Sequence, residues 1–177
     1  MKDRKLLNIE LGRLTPAEYR EDRASSGLVL VLDNIRSAHN VGSAFRTADA
    51  FGVDKVYLGG ICPVPPSPEL HKVALGAEEA VPFEHVQDTV DLVRRLRASG
   101  YTAVAVEQTV HSVKLDRFRP ASGCKYALVF GNEVEGVQQA VVDACDFALE
   151  IPQFGTKHSL NVSVSVGVVL WALRSAR

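Results

Sequence analysis

The chain has 177 residues and a mass of 19.2 kDa, enough for one domain with a filled core and too few for two ordinary ones. Hydrophobic residues make up 46% and charged residues 23%, which excludes a largely disordered chain; a formal net charge of −1 excludes nucleic-acid binding by bulk charge, leaving only local patches. No apolar run reaches membrane-span length and the opening MKDRKLLNIE lacks the apolar core of a signal peptide, so the expectation is a soluble, cytoplasmic protein with no membrane partner.

Residues 1–26 carry mixed charge, with one short helix expected around Pro16 to Arg23, and read as an N-terminal arm ahead of a single domain spanning 27–177. From there, short apolar runs bounded by turn residues alternate with amphipathic segments. That is the rhythm of an α/β domain with a mostly parallel sheet. Strands are expected at Leu28 to Leu32, Lys55 to Leu58, Thr102 to Val106, Tyr126 to Phe130 and Ala148 to Ile151. Between them, Val41, Ala44, Phe45 and Ala48 recur at helical spacing, with Asn40 placed to cap the start and Gly52 the end. Val90, Leu92, Val93 and Leu96 carry a second helix that stops near Gly100, and Val137 to Cys145 a third. The proline-rich stretch ICPVPPSPEL, 61–70, reads as a surface loop.

Cys62, Cys124 and Cys145 are odd in number and widely separated, so they signal neither a disulfide framework nor a zinc site and read as buried reduced thiols. No metal is expected. His158 beside Ser159 lacks a third member for a nucleophilic triad, and adjacent side chains do not generally face one another.

Ligands of an open α/β sheet bind beyond the carboxyl ends of its strands, so the loops there carry the chemistry. The segment DNIRSAHNVGSAFRTADAFG, 33–52, places Gly42 and Arg46 at i, i+4 on one helix face. A glycine beside an arginine leaves room for an anion to reach the guanidinium; the plainer alternative is a surface salt bridge from Arg46 to Asp49 or Asp33. GNEVEG, 131–136, is neither GxGxxG nor a P-loop, and its Glu133 and Glu135 would repel a pyrophosphate. A loop of this kind suits a nucleoside without phosphates, such as one bearing a sulfonium cation.

The stretch FGTKHSLNVSVSVGVVLW, 154–171, supports two readings. Leu160, Val162, Val164, Val166 and Val168 alternate as in a β-strand, and local rules slightly favour that form. As a helix, the segment would align Ser159, Ser163 and Gly167 in a small-residue stripe and be apolar on nearly every other side.

Three stretches together resemble the SPOUT class of methyltransferases, in particular the SpoU/TrmH branch that methylates ribose 2′-hydroxyls of RNA. They are Asn40-x-Gly42 with Arg46 and the run Thr47 to Gly52; Phe130-Gly131-Asn132-Glu133 with Gly136; and Ile151-Pro152 leading to Ser159-Leu160-Asn161-Val162-Ser163. The resemblance implies a SPOUT-type α/β knot with a mostly parallel sheet, in which the C-terminal segment forms a deep trefoil knot. It also implies that 154–171 ends in a helix packed in the core and at a homodimer interface. S-adenosyl-L-methionine is the implied cofactor, held largely through backbone groups at Val106, Glu107, Gly131, Ile151, Ser159 and Leu160. Arg46 is the implied main catalytic residue, with Asn40, Glu133, Ser159 and Asn161 around it. A guanidinium rarely releases its proton, so Arg46 is assigned to electrostatic stabilisation of the developing alkoxide or a neighbouring phosphate, and Glu133 either accepts the proton or shapes its loop.

The implied reaction is methyl transfer to tRNA or rRNA. Methylation of a base, or RNA binding without catalysis, are the competing readings. The clusters Arg94, Arg95, Arg97 and Lys114, Arg117, Arg119 are either RNA contacts or solvated surface.

Overall fold

Strand β1, Leu28–Asp33, is buried along its whole length, and the reason it reads as an unbroken apolar run is that both of its faces are covered. Leu28, Leu30 and Leu32 enter one apolar cluster, Val29 and Val31 another. Strand β6, Lys125–Phe130, follows the same rule, sending Tyr126, Leu128 and Phe130 to the first cluster and Ala127 and Val129 to the second. This computed structural model describes residues 3–12 and 24–176, so the helix expected around Pro16 to Arg23 lies outside the described residues.

The remaining strands are β2 Lys55–Gly59, β3 Phe83–Val86, β4 Tyr101–Val106, β5 Val113–Lys114 and β7 Phe147–Glu150. Together they form one sheet of seven strands in the order β3-β2-β1-β6-β4-β7-β5. Every neighbouring pair is parallel. The five expected strands are present within a residue or so of their expected limits, β7 starting and ending one residue earlier than expected. β3 and β5 escape a sequence reading because they are the sheet edges: only Val86 of β3 is buried, and both residues of β5 are exposed.

Helices α1 Ala38–Ala50, α2 Pro68–Ala74, α3 Ala77–Ala80 and α6 Val162–Ser175 cover the first face. Helices α4 Thr89–Ala98 and α5 Gln139–Ala144 cover the second. Three local expectations are corrected. The cap of α1 is Ser37, whose hydroxyl accepts from the Asn40 N–H at 3.2 Å, so Asn40 sits inside the first turn and its side chain is free for other work. The loop expected over 61–70 ends at Ser67, because Pro68 occupies the first position of α2, where a missing N–H costs nothing. Gly42 opens no space beside Arg46: a Cβ there would lie 2.7 Å from the Leu70 carbonyl oxygen, so the glycine is what lets α1 and α2 approach.

The C-terminal segment is a helix, as the family resemblance implies and against the local preference for a strand. Val162, Val166, Val169, Leu170 and Leu173 are buried in the first cluster, and Asn161 caps the start. Burying a side chain of this size contributes about 1.5–3 kcal/mol, whereas strand propensity spans only about 1 kcal/mol, so the apolar face wins. A Cβ at Gly167 would lie 3.9 Å from the Thr47 methyl of α1, and the Phe51 and Trp171 rings pack edge-on with centroids 6.4 Å apart. Of the cysteines, Cys62 is buried and Cys145 half-buried, and burial pushes both thiols up to about 12. Cys124 is exposed, contrary to expectation, since it lies in the turn that enters β6 rather than in the core. No helix among the described residues is long and apolar enough to cross a membrane.

Candidate active site

The carboxyl ends of β4, β6 and β7, adjacent in the sheet, open into a pocket of about 300 Å³. A crevice at this end is where the parallel sheet leaves backbone groups unpaired, and the volume is at the lower end for a small-molecule site. All six residues carried over for cofactor binding, Val106, Glu107, Gly131, Ile151, Ser159 and Leu160, line it.

Its rim is the 131–136 loop, closed on itself by backbone and side-chain hydrogen bonds. The Asn132 N–H donates to the Gly136 carbonyl at 3.2 Å and the Gly136 N–H returns to Asn132 at 3.0 Å. The buried Asn132 side chain accepts from the N–H groups of Val134 and Glu135 at 2.9 and 2.8 Å, closing an Asx turn. Gly131 is required because a Cβ would fall 1.9 Å from the Gly136 carbonyl carbon. Glu107 braces the loop from β4, accepting from the Val137 N–H at 3.0 Å. The carboxylate is therefore partly committed to the loop.

The opposite wall comes from the segment between β7 and α6. The His158 carbonyl accepts from Gln108 at 2.5 Å and from Gln153 at 3.2 Å, tying this segment to the end of β4. That contact brings Ser159 and Leu160 to the pocket. His158 thus serves here through its backbone carbonyl.

Beside the pocket, Asn40, Glu133 and Asn161 form one hydrogen-bonded chain. Asn161 donates to Asn40 at 3.1 Å, and Asn40 in turn donates to the Glu133 carboxylate in a short contact. Each comes from a different stretch: α1, the β6 loop and the cap of α6. The fourth polar residue, Ser159, lines the pocket. Arg46 stands apart. It is exposed and does not line the pocket. Six residues beyond Asn40 on α1, it is about 9 Å along the axis and on a different face.

Two anchors were not legible in the sequence. Asp33, 1% exposed at the end of β1, accepts from the Thr89 hydroxyl at 2.7 Å and the Gln138 N–H at 3.3 Å, joining the starts of α4 and α5 to the strand end. A carboxylate ending an apolar run is the one signal that could have found it. Glu150, on the pocket wall, pairs with Lys114 at 2.5 Å and accepts from the Ser112 hydroxyl at 2.5 Å, and these hold its carboxyl below the usual range. No local signal marks Gln108 or Gln153.

Carboxylates therefore dominate the pocket: Glu107, Glu133, Glu135 and Glu150 all line it, with no lysine or arginine among the lining residues. Such a site disfavours a pyrophosphate and suits a ligand carrying positive charge. Three of the six residues in the basic clusters are engaged locally, Arg95 with Asp91 at 3.2 Å, Arg97 with Asp146 at 2.6 Å and Lys114 with Glu150, which favours the surface reading for these three.

Residues 27–171 match the sequence model of the SpoU rRNA Methylase family. A 23S rRNA (guanosine-2′-O-)-methyltransferase of Nitrosomonas europaea is 38% identical over 89% of this chain and 59% of its own length. The chain spans about three fifths of the length of the curated relatives it matches. Among solved structures, a TrmH/SpoU tRNA modifying enzyme of A. aeolicus superposes with a TM-score of 0.80 at 27% identity, covering 92% of this chain and 82% of the other. An AdoMet-bound rRNA methyltransferase of Sinorhizobium meliloti gives 0.78 at 29% identity, covering 86% and 57%.

Proposed function

The chain belongs to the SpoU rRNA Methylase family, and from that premise we propose that it transfers a methyl group from S-adenosylmethionine to a ribose 2′-hydroxyl of tRNA or rRNA. The observation that carries this reading is the pairing of an acidic, glycine-walled pocket with the Asn40, Glu133 and Asn161 chain at its side. The pocket fits the cofactor on chemistry: it offers carboxylates to a cationic ligand and backbone at Gly131 and Gly136 to a flat base. S-adenosylmethionine, when bound, supplies the methyl group.

Every other part belongs to this chain. Val106, Glu107, Gly131, Ile151, Ser159 and Leu160 hold the adenosine, chiefly by backbone and apolar contact. Asn40 and Asn161 fix Glu133, which takes the ribose proton, and Ser159 orients the substrate from the pocket wall. Holding the two reactants in one geometry supplies much of the acceleration. Arg46 contributes its charge to the developing alkoxide or an adjacent phosphate.

The site is completed across a homodimer. Val164 and Trp171, 50% and 65% exposed on α6, give an apolar face suited to a second copy, and the placement of Arg46 away from the pocket of its own chain agrees with a shared site. In this reading residues 27–177 are the catalytic unit, the 1–26 arm helps to hold RNA, and the protein works in the cytoplasm. The chain between β7 and α6 is then the segment threaded into the family's trefoil knot.

The test is methyl transfer from labelled S-adenosylmethionine to unmodified tRNA and rRNA offered separately, followed by nucleoside digestion. Label in a 2′-O-methylnucleoside is expected, and the pool that carries it names the RNA class. Label in a base would replace this reading with base methylation.

A further inference from the structure

A second cavity, about 600 Å³, lies beneath the proline-rich loop and shares no lining residue with the first. Pro65, Pro68 and Phe83 form an apolar wall, while His71, Glu78 and Glu79 bring donor atoms to it. The chain geometry is built for this meeting. α2 ends at Ala74, Leu75 and Gly76 both adopt positive φ of 54° and 89°, and the reversal sets the first turn of α3 against the last turn of α2. One donor atom from each of His71, Glu78 and Glu79 lies within 4.8 Å of the other two.

Glu78 makes the cluster more than a surface patch. Its side chain is 7% exposed, one carboxylate oxygen contacts His71 Nδ1 in a short contact, and the other, Oε2, is buried with no hydrogen-bond partner. An unpartnered carboxylate oxygen against an apolar wall is costly, and a single imidazole contact leaves half of the group unsatisfied. Exposed Glu79 adds a second negative charge and no hydrogen-bond donor for it. A cation is the ligand that relieves both.

We propose that His71, Glu78 and Glu79 form a binding site for a first-row divalent cation, of which Zn²⁺ is the test case. Imidazole with two carboxylates suits Zn²⁺ and its neighbours, while Mg²⁺ and Ca²⁺ select all-oxygen sets. Metal–ligand bonds near 2.1 Å put tetrahedral donors about 3.4 Å apart. His71 and Glu79, both exposed, can close to that spacing by side-chain rotation while Glu78 stays in place. Occupancy would lock the α2–α3 reversal against α1, where Gly42 already permits close packing.

The 177-residue chain, stripped of metal with a chelator and desalted, is titrated with ZnCl₂ by calorimetry and melted with and without Zn²⁺. One site per chain at or below the micromolar range is expected, together with a rise in melting temperature. His71→Gln keeps a donor for Glu78 and Glu79→Gln changes an exposed group, so both should fold; each should weaken Zn²⁺ binding by about tenfold or more and remove the thermal shift. Absence of saturable binding, or the same isotherm in both variants, reduces the cluster to a histidine–glutamate contact and overturns the proposal.

Discussion

Asn161 donates its side-chain N–H to the Asn40 side-chain Oδ1 at 3.1 Å across 121 positions of sequence, while its own Oδ1 accepts from the Ser163 N–H at 2.9 Å. One side chain thus caps α6 and anchors the polar chain beside the pocket. The two tasks use opposite ends of the amide, so substitution can separate them.

Asn161→Asp keeps the capping acceptor and removes the donor. To meet the new carboxylate, the Asn40 amide must turn its N–H away from Glu133. Stability should stay near that of the parent while methyl transfer falls on the order of 10- to 100-fold. Asn161→Ala should lower turnover and also cost about 0.5–2 kcal/mol through the lost cap. Thermal melts beside methyl-transfer rates make the comparison; full activity in the aspartate variant would sink the positioning role.

Arg46→Ala should leave folding within about 0.5 kcal/mol, since the residue is exposed and outside the core. S-adenosylmethionine binding should change little, because Arg46 does not line the pocket. Methyl transfer should drop on the order of 100-fold or more if its charge acts on the transition state. Calorimetric cofactor binding and single-turnover rates read the two effects separately, and unchanged transfer would remove Arg46 from the mechanism.

Two glycines give a matched pair. A Cβ at Gly131 would lie 1.9 Å from the Gly136 carbonyl carbon and 2.0 Å from the Val137 nitrogen, backbone that cannot yield. Gly131→Ala should cost about 1–3 kcal/mol or more and abolish cofactor binding. Nothing lies within 4 Å of a Cβ at Gly155, so Gly155→Ala should be close to neutral. Equal stability and cofactor affinity in the two variants would contradict this account of the loop.

Acid stability has an identifiable contributor in Asp54. Burial acts to raise its pKa, but hydrogen bonds from Ser25, Ser26 and the Gly27 N–H outweigh it and hold the carboxyl below its ordinary value. A depressed native pKa means the stabilisation is fully present above the unfolded value of about 3.9 and is lost as pH falls through the lower native value. Asp54→Asn should therefore destabilise by about 1 kcal/mol at neutral pH, a figure reduced for solvent screening, with the gap to the parent narrowing below about pH 4. Melting temperatures of both proteins between neutral and acid pH test the sign; a gap that widens in acid would refute it.

Much of the frame was legible because it is encoded within a few neighbouring residues. Leu28 to Leu32 and Tyr126 to Phe130 are apolar at every position, short enough for strands covered on both faces. The α1 stripe of Val41, Ala44, Phe45 and Ala48 is likewise local, and all four are buried where expected. The polar loops at the strand ends pointed to the pocket, and all six residues carried over for the cofactor do line it.

What the sequence could not settle depends on partners far along the chain. Val162 to Leu173 is apolar at both strand and helix spacings, so its period was ambiguous; burial against α1 and the sheet, with Asn161 as cap, decided for the helix. Asn40 looked like a cap because its residue type caps well, yet Ser37 holds that place and Asn40 reaches Glu133 and Asn161 instead. Gly42 and Arg46 share a helix face by spacing, but only the approach of Leu70 shows that the glycine serves packing. The sequence by itself determined which segments could be buried and which loops could carry chemistry, through local periodicity and residue type. Tertiary structure alone decided which polar groups meet, because a hydrogen bond between distant residues has no energy until the fold brings its two ends together.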